Sequence, residues 1–231
     1  MTPGRAAADS PSAPAAAGSR ARPAPRRPGR LLWWLIFLAC LLPLARLVVL
    51  GVQGGLGANP VEFVTRSTGT WTLVLLCSTL ALTPLRRLAG WSQAIRYRRM
   101  LGLYTFFYGC LHFTTYVWLD QWFEWSEIVR DVLKRPFITV GFAAFVLMLP
   151  LALTSSQAAM RRLGRRWQAL HRLIYAVAVL AILHYWWHKA GKNDLGEPMI
   201  YGAVVALLLG LRIAWRMGAP TVQRGSRRSS A

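Results

Sequence analysis

The chain has 231 residues, 55% of them hydrophobic, and carries 28 basic against 8 acidic side chains for a formal net charge of +20. That apolar content with so few acids excludes an ordinary soluble domain and points to a membrane protein. A charge of this size would also suit a nucleic-acid binder, but the basic residues cluster between apolar runs, so no nucleic-acid partner is expected.

Residues 1–30 are rich in Ala, Pro, Ser and Arg without an apolar period and read as a disordered basic tail, as do residues 218–231. Arg26 and Arg27 precede an apolar run, but the rest of a twin-arginine signal is missing and further spans follow, so no cleaved targeting peptide is expected. Residues 31–217 hold six apolar segments, at 31–52, 69–88, 100–119, 137–153, 167–187 and 199–217. Each approaches the length of about 20 residues that a helix needs to cross the hydrocarbon core. Pro150 is expected to end or kink the fourth. The 120–135 connection sets Trp122, Phe123 and Trp125 beside Glu124, Glu127 and Asp131, the pattern of a short amphipathic helix lying in the interface. The expected fold is an all-α membrane protein, a bundle of six transmembrane helices.

Orientation follows from the arginines. The tail, the second connection (Arg86, Arg87, Arg96, Arg98, Arg99), the fourth (Arg161, Arg162, Arg165, Arg166) and the C-terminal end are strongly basic. The first, third and fifth connections hold seven of the eight acids: Glu62, Asp120, Glu124, Glu127, Asp131, Asp194 and Glu197. Basic loops stay cytoplasmic, so both termini are expected inside. The tryptophans fall into an inner and an outer belt, as indole at the headgroup level should. Cys40, Cys77 and Cys110 each lie inside an apolar run and form no CxxC pair, so they read as buried small hydrophobes rather than zinc ligands or a disulfide.

The histidines carry the chemistry. His112 in the third segment and His184 in the fifth both belong to the outer half of the membrane. Intramembrane imidazoles are costly and usually functional. Two at matching depth on different helices suit bis-imidazole ligation of a haem iron; the alternative is hydrogen-bonded glue between helices. His171 lies at the inner end of the fifth segment, where no histidine but Arg98 and Arg99 stand at matching depth. Its reading stays open between a second ligand site, a contact to propionate, flavin or quinone, and a plain interface residue. His188, beside Lys189, reads as an outer-surface bystander. Arg46 in the outer part of the first span and Arg66 in the first connection either pair with haem propionates or snorkel to the interface. There is no Rossmann fingerprint, no P-loop and no evident internal repeat or broken central helix of the transporter kind. A chain with haem but no nicotinamide domain must take electrons from quinol or a separate flavoprotein, and no bond-making residue is expected in it.

Several runs resemble one family. They are Asn59-Pro60-Val61-Glu62, Thr68-Gly69-Thr70-Trp71-Thr72-Leu73, Thr83-Pro84-Leu85-Arg86-Arg87, Arg98-Arg99-Met100-Leu101-Gly102-Leu103, Leu111-His112-Phe113, Leu153-Thr154-Ser155, Trp167-Gln168-Ala169-Leu170-His171-Arg172-Leu173-Ile174-Tyr175 and His184-Tyr185. Together they are similar to the MsrQ (YedZ) family, haem-binding membrane subunits within the ferric reductase-like transmembrane group. The resemblance implies a multi-pass protein of the bacterial inner membrane. It implies b haem and FMN as cofactors, with electrons drawn from the respiratory quinone pool or a flavoprotein. The acceptor it implies is MsrP, a periplasmic molybdopterin reductase that repairs oxidised methionines in proteins and would form a heterodimer with this chain. His112, His171 and His184 match the family's three histidines. Oxidases of the wider group carry two histidines on each of the third and fifth spans, so the arginine near one of those places implies a single outer haem. The rivals are a ferric reductase or other cytochrome b with a different acceptor, and a non-redox transporter or assembly protein.

Overall fold

The computed structural model describes residues 30–191 and 193–218. The two basic tails therefore lie outside the described residues, apart from Arg30 and Gly218. Among the described residues every regular element is helical. In chain order these are α1 (Arg30–Val52), α2 (Pro60–Leu88), a 3-10 turn (Ser92–Tyr97), α3 (Arg98–Thr114), α4 (Trp125–Lys134), α5 (Pro136–Leu153), α6 (Gln157–Leu163), α7 (Arg165–Leu170), α8 (Leu173–Ala190) and α9 (Gly196–Met217). Five helical stretches are long and apolar enough to cross a membrane: α1, α2, α5, the α7–α8 stretch Arg165–Ala190, and α9. α3 has 17 residues and runs on without a break into a π-helical segment, Thr115–Asp120.

α2 begins nine residues before the apolar segment at 69–88. Its start is set by chemistry at the cap: the Asn59 side chain accepts a hydrogen bond from the Glu62 backbone N–H at 3.1 Å, and Pro60 occupies the first turn, where no donor is missed. The hydroxyls that blur the apolar signal are turned back on the helix. Thr68, Thr72, Ser78 and Thr79 each donate to the carbonyl four residues earlier, so none needs water.

Pro43 interrupts α1, and Tyr108 of α3 occupies the break. The buried Tyr108 hydroxyl donates to the Cys40 carbonyl at 2.8 Å and accepts from the Leu44 N–H at 3.1 Å. It thus bridges the two backbone groups that an uninterrupted helix would pair directly. Pro150 is carried inside α5, which ends three residues later at Leu153. The expected fifth helix at 167–187 is broken near its inner end, at His171–Arg172, because the backbone tightens there to an i→i−3 bond from Arg172 N–H to the Ala169 carbonyl. α4 is the expected amphipathic helix. It is pinned by buried Asp131, which accepts from Tyr116 and Gln121 at the end of the π-helical continuation of α3 and pairs with Arg135 at 3.2 Å.

The most extensive helix pairings are α2 with α3 and α5 with α8; α9 closes the bundle against α2 and α8. One apolar cluster joins α2, α5, α8 and α9 through Leu73, Leu76, Leu80, Met148, Val177 and Leu208. A second joins α1, α2 and α3 through Cys40, Leu75, Tyr104 and Tyr108. α1 is otherwise largely exposed, as a helix facing lipid should be.

Candidate functional site

His112 on α3 and His184 on α8 face each other between the two helix pairs, with ring centroids 6.1 Å apart and ring planes at 73°. Each imidazole is braced by the helix its own helix packs on. His112 Nδ1 lies 2.9 Å from the Thr65 carbonyl of α2, and His184 Nδ1 lies 2.7 Å from the Phe137 carbonyl of α5. A carbonyl only accepts, so each Nδ1 carries the proton and each Nε2 keeps its lone pair. That is the tautomer a metal-ligating imidazole needs, with its second nitrogen held by a backbone acceptor.

Room for both rings comes from glycine. A Cβ built on Gly69 would stand 3.0 Å from His112 Cε1, and one built on Gly141 would stand 2.6 Å from His184 Nδ1. In each case the glycine lies four residues beyond the bracing carbonyl, on the same helical face, so the missing side chain opens the path to that carbonyl. Sequence reasoning did not find Thr65, Gly69, Phe137 or Gly141 in these roles.

The two halves repeat one another. Thr65, Gly69 and His112 correspond to Phe137, Gly141 and His184, with 72 between the residue numbers each time and the same separation of 47 from carbonyl to histidine. Short identities lie near the same pairing: Leu111-His112 with Leu183-His184 at the same spacing, and Leu80-Ala81-Leu82-Thr83 with Leu151-Ala152-Leu153-Thr154 one residue out of step with it. The expectation that no internal repeat exists is therefore wrong. α2–α3 and α5–α8 are two copies of one helical hairpin, and the histidine pair sits between them. The identities are two- and four-residue fragments, and only the contacts to the rings make them legible.

The pair fits a haem iron. A metal–imidazole nitrogen bond is about 2 Å, and two such bonds in line, with the half-ring behind each nitrogen, separate ring centres by about 6 Å. The observed 6.1 Å matches. Phe106, Phe113 and Phe145 form a stacked aromatic wall nearby on α3 and α5.

The other histidines stand apart. His171 caps α7, stacks on Trp167 at 3.9 Å, and its Nδ1 lies 3.2 Å from the Trp167 carbonyl. Its Nε2 is buried without a partner. His188 is not an outer-surface bystander: it lies within α8, one turn beyond His184, half-buried against the Phe137 ring at 5.7 Å. Arg46 and Arg66 line one cleft of about 620 Å³ together with Glu62, Ser67, Trp71 and Glu197. Arg66 belongs to α2 rather than to a connection and pairs with Glu62 at 3.4 Å; the Arg46 guanidinium stands 5.9 Å from the Phe63 ring centre.

Comparison with known proteins places this architecture. Residues 68–182 match the model of the ferric reductase like transmembrane component, a stretch that contains His112, Gly69 and Gly141 and ends two residues before His184. A Ralstonia nicotianae protein-methionine-sulfoxide reductase heme-binding subunit MsrQ is 63% identical over 84% of this chain and 88% of its own length. The chain belongs to the MsrQ family. The MsrQ of Bordetella pertussis is 63% identical over 79% of the chain and 89% of its own, and that of Rhodospirillum rubrum is 50% identical over 82% and 88%. No solved structure matches. Membership in the MsrQ family and five apolar helices make this a multi-pass membrane protein.

Proposed function

We propose that this chain is the b-haem electron-transfer subunit of a periplasmic methionine sulfoxide reductase system. The observation that carries the reading is the His112–His184 pair, spaced for an iron and fixed in the ligating tautomer from both sides. The names of the relatives, heme-binding subunits of protein-methionine-sulfoxide reductase, support it. A bound b haem supplies one-electron iron chemistry. The chain's own residues would hold and orient it: His112 and His184 as iron ligands, the Thr65 and Phe137 carbonyls as their braces, and Arg46 as a charge partner for propionates; His171 would serve a separate ligand site at the inner end.

The topology on this reading is six transmembrane helices in the inner membrane with both termini cytoplasmic. α3 with its π-helical continuation is the third span, and the seven acids of the described residues then all lie outside. The donor is the quinone pool or a flavoprotein, FMN is a second cofactor, and the partner is an MsrP-type reductase. Reduction of the haem in reconstituted protein by menadiol, followed by reoxidation on adding the periplasmic reductase and methionine sulfoxide, tests the function. Reoxidation by ferric citrate but not by reductase and sulfoxide would make it a ferric reductase instead.

A further inference from the structure

At the inner end of the bundle a cavity of about 190 Å³ is lined by Arg87, Arg98, Arg212 and Arg216 with Thr83 and Tyr175. Arg212 is held rigidly. Its Nη2 donates to the Leu80 carbonyl at 2.7 Å and the Thr83 hydroxyl at 3.1 Å, and its guanidinium lies 5.1 Å from the Tyr175 ring centre. Its Nε is buried without a partner. Arg98 interacts with the Tyr175 hydroxyl and feels the charge of Arg212, and Arg87 lies over the Trp215 ring at 4.8 Å.

No carboxylate lines this cavity, and the seven acids of the described residues lie toward the other end of the helices. The half-buried Arg98 and Arg212 repel one another across this cavity, which the exposed Arg87 and Arg216 also line, without a counter-charge among its lining residues. Removing the protein's own acids leaves an outside anion to balance them. Guanidinium forks match the oxygens of a phosphate in pairs, the hydroxyls of Thr83 and Tyr175 add donors, and the volume suits a group of that size.

We propose that this pocket binds a phosphate group. Its flavin source rests on the proposed function, whereas the pocket itself stands without the haem, because none of the residues that line it is His112 or His184. Two sources present the same chemistry at this depth: the headgroup of an anionic phospholipid in the inner leaflet, and the phosphate monoester of a soluble ligand such as FMN.

The test uses the purified full chain beside Arg98→Gln and Arg212→Gln, with the haem spectrum as the measure that the outer site is intact. FMN is titrated by fluorescence quenching, with riboflavin as the phosphate-free control and inorganic phosphate as competitor. Phosphatidylglycerol retained after detergent exchange is measured by native mass spectrometry. A soluble monoester is indicated when FMN binds at least about tenfold more tightly than riboflavin and inorganic phosphate competes. A headgroup is indicated when one lipid is retained that inorganic phosphate does not displace. In either case each variant weakens the ligand by about tenfold or more with the haem spectrum unchanged, since each loses charge-assisted bonds. The proposal is overturned when FMN and riboflavin bind alike and the wild type retains no more lipid than the variants. Because the wild-type comparison decides by itself, a variant that fails to fold does not protect the idea.

Discussion

The imidazole of His184 leaves almost no clearance over Gly141: an added methyl carbon would fall 2.6 Å from Nδ1, inside any real contact distance. Gly141→Ala must therefore push the ring off the Phe137 carbonyl. The expected outcome is loss of most bound haem with helix content unchanged, measured by the pyridine haemochrome and far-ultraviolet circular dichroism. Gly69→Ala meets His112 at 3.0 Å and should be milder, weakening haem retention without abolishing it. The two histidines were legible in the sequence because hydropathy and span counting alone set their depth. The glycines and carbonyls were not, because their roles arise only where one helix lies against another.

Among the helices, α1 depends on a contact that no local pattern announces. Tyr108→Phe removes the hydroxyl that bridges Cys40 and Leu44 across the Pro43 break and leaves both backbone groups in an apolar setting. The expected cost is about 1–2 kcal/mol, read as a lower unfolding midpoint in denaturant with haem content retained. The α8–α9 connection is fastened by buried Lys189 and exposed Asp194. The hydrogen bond and charge of Lys189 hold the Asp194 carboxyl below its ordinary value. A depressed carboxyl adds stability that is complete above the ordinary aspartate range and is lost as pH falls through the lowered value. Thermal unfolding of the wild type in detergent should therefore lose stability on acidification through that window, and Asp194→Asn should flatten this part of the profile. Element boundaries were the part least visible from sequence: polar residues at 60–68 hid the first turns of α2, and the break at His171–Arg172 carries neither Gly nor Pro.

For the whole molecule, α2–α3 and α5–α8 repeat one arrangement around the facing His112 and His184 rings, and α9 packs on α2 and α8. Parallel repeats of this kind also build transporters. Here the interface between the halves holds the two facing imidazoles that we propose as haem ligands, which would make the repeat the frame of a cofactor site. Membrane class and the count of apolar segments were legible because they follow from bulk hydropathy and arginine placement. The duplication was not, because unequal connections and substituted faces leave only fragments of identity. The central claim is that His112 and His184 together ligate one haem iron. It is tested most directly by the reduced-minus-oxidised visible spectrum of the purified protein beside His112→Ala and His184→Ala. The account predicts a b-type haem spectrum in the wild type and loss of most of it in each variant. A cofactor-replete wild type without that spectrum, or two variants that both keep their full haem, would contradict it.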